Sequence, residues 1–269
     1  MWRTARGLAL DILPERPLLE LKKRRYLRVL KRLSIHDDPE FAIVRRLVRA
    51  GEVALDVGAN FGPFTRLLSE WVSASGRVLS FEPIPDTFAI LAWCCRRLQL
   101  RNVRLYNYAL SDTARSAFME IPRYHGGGLN YYESRITSND PKHGRRRHRA
   151  VQLRLLDSFL DDLQGTVSFV KCDVEGHEWE VVQGARRLIE TFSPSWLIEV
   201  SSDPDCSSST GAQLFRFLAE RGYRVFWVER SCLRERSRGD RSTNYFFLTE
   251  THLRRLAENA DVIRTPLRR

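Results

Sequence analysis

The sequence predicts an α/β protein with a mostly parallel sheet and helices on both faces. Three observations point there. Val53, Ala54, Leu55 and Val57 form an apolar run too short for a helix, which suits a strand covered on both sides. Gly58 and Gly62 follow, and behind Pro63 the residues Phe64, Leu67, Leu68 and Trp71 recur at helical spacing. A second strand-like run at 77–81 then ends in Glu82-Pro83, which completes a βαβ unit.

The other elements follow in chain order. Residues 18–33 hold Lys22, Lys23, Arg24, Arg25, Arg28, Lys31 and Arg32, with Leu19, Tyr26, Leu27, Leu30 and Leu33 as an apolar stripe. Such a basic amphipathic helix either lies on an anionic membrane surface or packs its stripe on the domain and leaves a solvated basic face. Asp38 caps a helix whose first residue is Pro39 and whose inner face is Phe41, Val44, Leu47 and Val48, with Gly51 closing it. A helix at 85–98 turns Phe88, Leu91, Ala92, Cys95 and Leu98 inward, with Cys94 to the side. Residues 103–108 read as the third strand. Residues 116–121 and 151–155 read as strands able to pair in an inserted antiparallel hairpin. Between them lies a long polar segment, 122–150, with three glycines at 126–128, Tyr131, Tyr132 and a basic cluster at 142–149. It is either a lid that touches an acceptor or a solvated tether.

Asp157 is expected to cap a short helix after Leu156. Residues 167–173 form the fourth strand and carry Lys171 inside an apolar run, where a lysine needs a partner; Glu199, at the end of the fifth strand 196–200, is the expected one. A helix at 210–221 ends at Gly222, and strands at 223–228 and 244–248 close the domain. The loop between them carries Arg230, Arg234, Arg236, Arg238 and Arg241, either an anionic acceptor site or a solvated turn. The chain thus divides into a basic helical extension at 1–37, a domain at 38–250 and a basic tail at 251–269.

The turn after the first strand narrows the ligand. Free N–H groups at a helix start attract a carboxylate or phosphate. Asp56 and Asn60 disfavour a pyrophosphate and favour a ligand that also carries a cation, such as an amino acid moiety. Gly58 and Gly62 lie four apart rather than in G-x-G-x-x-G, which argues against a nicotinamide cofactor. Glu82, at the end of the second strand, suits the two hydroxyls of a ribose.

Composition sets outer bounds. The 269 residues are 43% hydrophobic and 29% charged, a globular balance, and no stretch approaches the ~20 apolar residues of a membrane span. Arg3 and Arg6 precede an apolar segment broken by Asp11, which argues against a secretory signal and leaves an Arg-rich organellar presequence open. Five cysteines, Cys94, Cys95, Cys172, Cys206 and Cys232, form no C-x-x-C and predict free thiols in a reducing cytoplasm. The net charge of +11 points to an anionic partner: nucleic acid, an anionic membrane face or an acidic substrate.

D-V-G-A-N-x-G-x-x-T at 56–65, F-E-P at 81–83, N-Y-A-L-S-D at 107–112, L-D-S at 156–158 and K-C-D-V-E-G-H-E at 171–178 resemble, in order, the motifs of the FkbM family. The resemblance spans roughly residues 40 to 250. These are S-adenosylmethionine-dependent methyltransferases of the Rossmann-like class I fold. The resemblance implies seven strands with the last reversed. It implies a cofactor held by Asp56, Gly58, Asn60, Gly62, Thr65, Glu82, Asn107 and Ala109. It places Asp173, Glu175 and His177 beside the transferred methyl group: Asp173 to orient the sulfonium end or the acceptor, Glu175 to orient His177 or bind acceptor hydroxyls, and His177 as base. It implies O-methylation of a hydroxyl on a sugar, glycolipid or polyketide-like metabolite. The carboxylates and histidine of 173–178 could instead hold a divalent metal, but no second acidic cluster compels one, so no metal is expected, and the free thiols point to a cytoplasmic enzyme. The competing reading is a nucleic-acid modifying or binding protein using the basic loops. Against it, no N-P-P-Y-type motif is present.

Overall fold

The computed structural model describes residues 15–122, 129–137, 147–163, 165–229, 231–257 and 263–264. The features expected at 1–14, at 126–128, at 138–146, at Arg230 and in most of the tail beyond 257 lie outside the described residues.

The chain opens with α1 (Glu15–Arg32) and α2 (Pro39–Leu47), then runs β1 (Val53–Val57), α3 (Pro63–Trp71), β2 (Arg77–Phe81), α4 (Pro85–Arg97) and β3 (Val103–Tyr106). An insertion follows, with β4 (Ala109–Leu110), β5 (Arg115–Ile121), β6 (Arg135–Thr137) and β7 (Arg147–Arg154). The main path resumes with a 3-10 turn (Leu156–Asp162), β8 (Val167–Cys172), α5 (Glu178–Gln183), α6 (Arg186–Phe192), β9 (Ser195–Glu199) and α7 (Thr210–Ala219). It ends with β10 (Arg224–Glu229), β11 (Cys232–Glu235), β12 (Asn244–Leu248), α8 (Glu250–Ala257) and β13 (Ile263–Arg264).

The large sheet has the order β13-β11-β10-β12-β9-β8-β1-β2-β3. β3, β2, β1, β8 and β9 are parallel, and β12 runs against both β9 and β10. Seven strands therefore follow the expected class I plan with the last reversed. The sheet has nine because β11 folds back on β10 and β13 pairs with β11. One face is covered by α2, α3 and α8 through Val44, Leu47, Leu68, Trp71 and Leu256. The other is covered by α5, α6 and α7 through Val181, Leu188, Leu214 and Phe217.

The inserted pair forms as expected: β5 and β7 are antiparallel, joined by β4 and β6 in a separate four-stranded sheet with its own apolar cluster around Ile121 and Leu153. Two local expectations change. The third strand ends at Tyr106, two residues early. Asp157 does not cap its own turn; its two carboxylate oxygens accept the N–H groups of Arg187 and Leu188 and cap α6 instead. Cys94 is fully buried, because α4 is covered on two sides: Leu91 and Cys95 face the sheet, while Ile90 and Cys94 meet Leu30 of α1.

Candidate active site

Chain order reverses between β1 and β8: β2 and β3 continue to one side, β9 to the other. A parallel sheet opens a crevice at such a point, beyond the carboxyl ends of its strands. A cleft of about 230 Å³ lies there, lined among others by Asp56, Gly58, Asn60, Glu82, Ala109, Lys171, Asp173, Glu175 and His177.

Its floor is a buried charge network. The β1–β8 register sets Asp56 beside Lys171. Lys171 Nζ donates to the Gly58 carbonyl at 2.8 Å and lies 3.2 Å from Asp173 and 3.8 Å from Asp56. The partners of Lys171 are thus Asp173 and Asp56, not Glu199 as expected. Burial alone would lower the lysine's pKa, but the two carboxylates outweigh it and raise it. Asp56 is wholly buried, and burial raises its pKa against the pull of Lys171 and of the Thr65 hydroxyl, which donates to Oδ2 at 2.6 Å. Its other oxygen, Oδ1, has no hydrogen-bond partner among the described residues. Apart from the 3.8 Å ion pair with Lys171, this buried acceptor has no donor, which suits a ligand's cationic group.

The glycine turn is held from two sides. Gly58, at φ +76, passes so close to the end of β8 that a Cβ would sit 1.8 Å from the Asp173 carbonyl oxygen. Asn60 is left-handed as well, at φ +51, and its N–H donates to Glu82 Oε2 at 2.9 Å. The Ile84 N–H donates to Glu82 Oε1 at 3.0 Å. Glu82 is 5% exposed, and burial pushes its pKa up to about 7 against those two hydrogen bonds. A carboxylate offers about four lone-pair directions, so two stay free for a diol.

Three residues expected at the cofactor do not line the cleft. Gly62 caps α3 at φ +99, where a Cβ would strike Leu91 at 2.7 Å. Thr65 lies behind Asp56. The Asn107 amide donates to the carbonyls of Glu82 and Pro83 and holds that turn. All three support the lining from behind.

The far wall is acidic. Glu175 is half-buried at φ +56, a costly conformation for a residue with a side chain. Burial, then repulsion from Asp173, raises its pKa to about 7, with Arg135 opposing. Glu199, at the end of β9, is raised to about 8 by burial and by Asp173. Oxygens of Asp173, Glu175 and Glu199 come within 4.8 Å of one another, a set that a hard cation such as Mg²⁺ could bridge. Nearby, the carboxyl of Glu40 of α2 is also raised to about 7, chiefly by burial, with Asn244 Nδ2 donating to it at 3.2 Å.

His177 lines the cleft with its ring in contact with protein groups. Its Nε2 lies 2.9 Å from the Ser111 hydroxyl and its Nδ1 3.4 Å from Glu180, so both ring nitrogens face protein groups. Burial lowers its pKa, opposed by Glu180 and Asp112. Glu178 reaches back to accept the N–H groups of Val174 and Gly176 at 3.2 and 2.9 Å, pinning the loop that carries Asp173 and Glu175. Sequence reasoning gave no role to Ser111, Glu178, Glu180 or Glu40. The only signal was for Glu178, an acid two residues after Gly176 at a helix start.

The arginine-rich loop is largely neutralised from within the protein. Arg236 pairs with Asp205 at 2.8 Å, Arg241 with Asp203 at 2.5 Å, and Arg234 with Glu229 at 3.0 Å.

Residues 56–225, well over half the chain, match the methyltransferase FkbM domain. No curated protein matches the sequence. Among solved structures, the chain is similar to a methyltransferase FkbM from Methylobacillus flagellatus KT, at 16% identity and TM-score 0.49. It has 84% of its length covered and spans 59% of that longer protein. It is also similar to a precorrin-6y C5,15-methyltransferase from Geobacter metallireducens GS-15 (13%, TM-score 0.45, 81% and 89% covered). A SAM-dependent O-methyltransferase from Thermotoga maritima is a third (13%, TM-score 0.41, 78% and 63% covered).

Proposed function

Because the chain belongs to the FkbM methyltransferase family, whose cofactor is S-adenosylmethionine, we propose that it methylates a hydroxyl group and that Glu175 is the base. When bound, S-adenosylmethionine supplies an electrophilic methyl group on a sulfonium. The lining residues fit it. Asp56 Oδ1 offers an open buried acceptor to the amino acid end, and Glu82 offers two free lone-pair directions to the ribose hydroxyls.

The observation that carries the O-acceptor reading is the position of Glu175 in the cleft wall with a pKa near 7. A hydroxyl must lose its proton as the new C–O bond forms, and a base poised near neutral pH is best placed to take it. Asp173, held by Lys171 in the cleft lining with Glu199 beside it, is positioned to accept a hydrogen bond from a polyhydroxylated acceptor. This fits a sugar, glycolipid or polyketide-like metabolite. His177, hydrogen-bonded to Ser111 through Nε2 and with Nδ1 3.4 Å from Glu180, acts as a positioning residue that ties the β8–α5 loop to Ser111.

The test is transfer of a labelled methyl group to a panel of sugar, glycolipid and polyketide acceptors by the wild type and Glu175→Gln. Label in an O-methyl product, with turnover falling at least ~100-fold in the variant, is expected. Methylation at nitrogen or carbon only, or full turnover by the variant, would overturn it.

A further inference from the structure

α1 has two faces with different fates. Leu27 and Leu30 pack against α4 together with Ile90, Cys94 and Trp93. Tyr26 stacks on Phe61 at 4.2 Å, and Lys22 Nζ lies 4.5 Å from the centroid of the Tyr131 ring. Phe61 and Tyr131 both line the cleft. The helix is therefore fixed to the domain and to the wall of its site.

The opposite face is exposed and strongly basic. Arg24, Arg25, Arg28, Lys31 and Arg32 all point outward, and none has an ion-pair partner among the described residues. Glu20, the acid at the edge of this face, is taken by Lys23. Within the arginines lie Leu21, 51% exposed, and Val29, 42% exposed, two of the three large apolar side chains most exposed among the described residues. At 100° per residue Leu21, Arg25, Arg28, Val29 and Arg32 share one side of the helix.

We propose that this face of α1 docks on the headgroups of an anionic lipid bilayer. The arginines and lysine supply charge complementarity, worth about five-fold in affinity per basic group near the surface. Leu21 and Val29 supply what a phosphate-only ligand does not use, an apolar pair that enters the headgroup–acyl boundary. The contrast with the 229–243 loop is informative: there the arginines face carboxylates of the protein itself, whereas on α1 they do not. A docked α1 holds the cleft about one helix diameter, ~10 Å, from the bilayer. On the methyl-transfer reading, that favours an acceptor presented at a membrane surface, such as a glycolipid.

The test is co-sedimentation of the full chain with phosphatidylcholine vesicles, with and without phosphatidylglycerol, for the wild type, Arg25→Gln/Arg28→Gln and Leu21→Ser/Val29→Ser. No methyl donor is involved, so the outcome is independent of the methyl-transfer reading. The expected result is binding to the anionic vesicles alone, weakened ~25-fold in the arginine variant and roughly ten-fold in the apolar one. Thermal midpoints should stay unchanged, since every altered side chain is exposed. Should either pair lower the midpoint, Arg24→Gln/Lys31→Gln replaces it. No binding to anionic vesicles, or full binding by the arginine variant, overturns the proposal. So does an apolar variant that binds as the wild type does, which would leave a polyanion such as nucleic acid as the ligand.

Discussion

Replacing Glu82 with Gln changes one atom's chemistry and separates two roles that one carboxylate carries. In the folded chain burial raises its pKa from 4.5 to about 7, roughly 3 kcal/mol of linked free energy. A raised carboxyl pKa means that the folded chain retains a proton the unfolded chain gives up. Stability is therefore full at acid pH, declines as pH rises from about 4.5 through about 7, and levels off above. A glutamine does not titrate, so the variant loses this slope. It also replaces one acceptor oxygen by a donor, leaving the Asn60 or Ile84 N–H without its partner, at ~1–3 kcal/mol and independent of pH. Glu82→Gln should thus be less stable than wild type at pH 5 and close to it or above it at pH 8. The ligand effect runs the other way: losing a charge-assisted acceptor for the ribose should weaken S-adenosylhomocysteine binding by ~10- to 100-fold. Urea denaturation at both pH values and calorimetric titration read the two effects separately. Stability curves that run parallel across pH, or an unchanged affinity, would refute the assignment of a buried, ligand-facing carboxylate.

Other substitutions probe other parts of the site. Glu175→Gln should abolish a rise in turnover that the wild type shows between about pH 6 and 8, since its carboxyl, raised to about 7, must be ionised to act; a variant with the wild-type profile removes Glu175 as the base. His177→Ala should lower turnover no more than about ten-fold and leave donor affinity intact, because both ring nitrogens serve the scaffold; loss of donor affinity in calorimetry would contradict that. Lys171→Met should cost ~3–5 kcal/mol in urea denaturation by stranding Asp56 and Asp173, whereas Glu199→Gln should cost less than ~1 kcal/mol. Chelation with EDTA should leave S-adenosylhomocysteine affinity unchanged, because Asp56 and Glu82 do not belong to the carboxylate cluster; a fall in affinity would bring a metal into the donor site.

Much of the donor side was legible because it is local. Residues 53–71 hold a strand, its glycine turn and a helix, each with its own periodicity, and Glu82 follows one βαβ unit later. The β5–β7 pairing was readable for the same reason. What escaped depends on contacts across the sheet. Lys171 meets Asp56 through the β1–β8 register, and Glu199 reaches Asp173 only because β9 lies beside β8; neither spacing is written along the chain. The contact of His177 with Ser111, 66 residues earlier, is likewise made by the fold alone. The sequence left the arginine loop undecided between an anion site and a solvated turn because Asp203 and Asp205, which pair with Arg241 and Arg236, belong to a different connection. The packing of Cys94 against α1 gives α4 a second apolar side that a single stripe did not show.

The most direct test of the central claim is calorimetric titration of the full-length wild type with S-adenosylhomocysteine, repeated in the presence of NADH. The account predicts one site per chain with micromolar affinity, indifferent to NADH. A folded protein that gives no binding heat, or one from which NADH displaces the ligand, would contradict it.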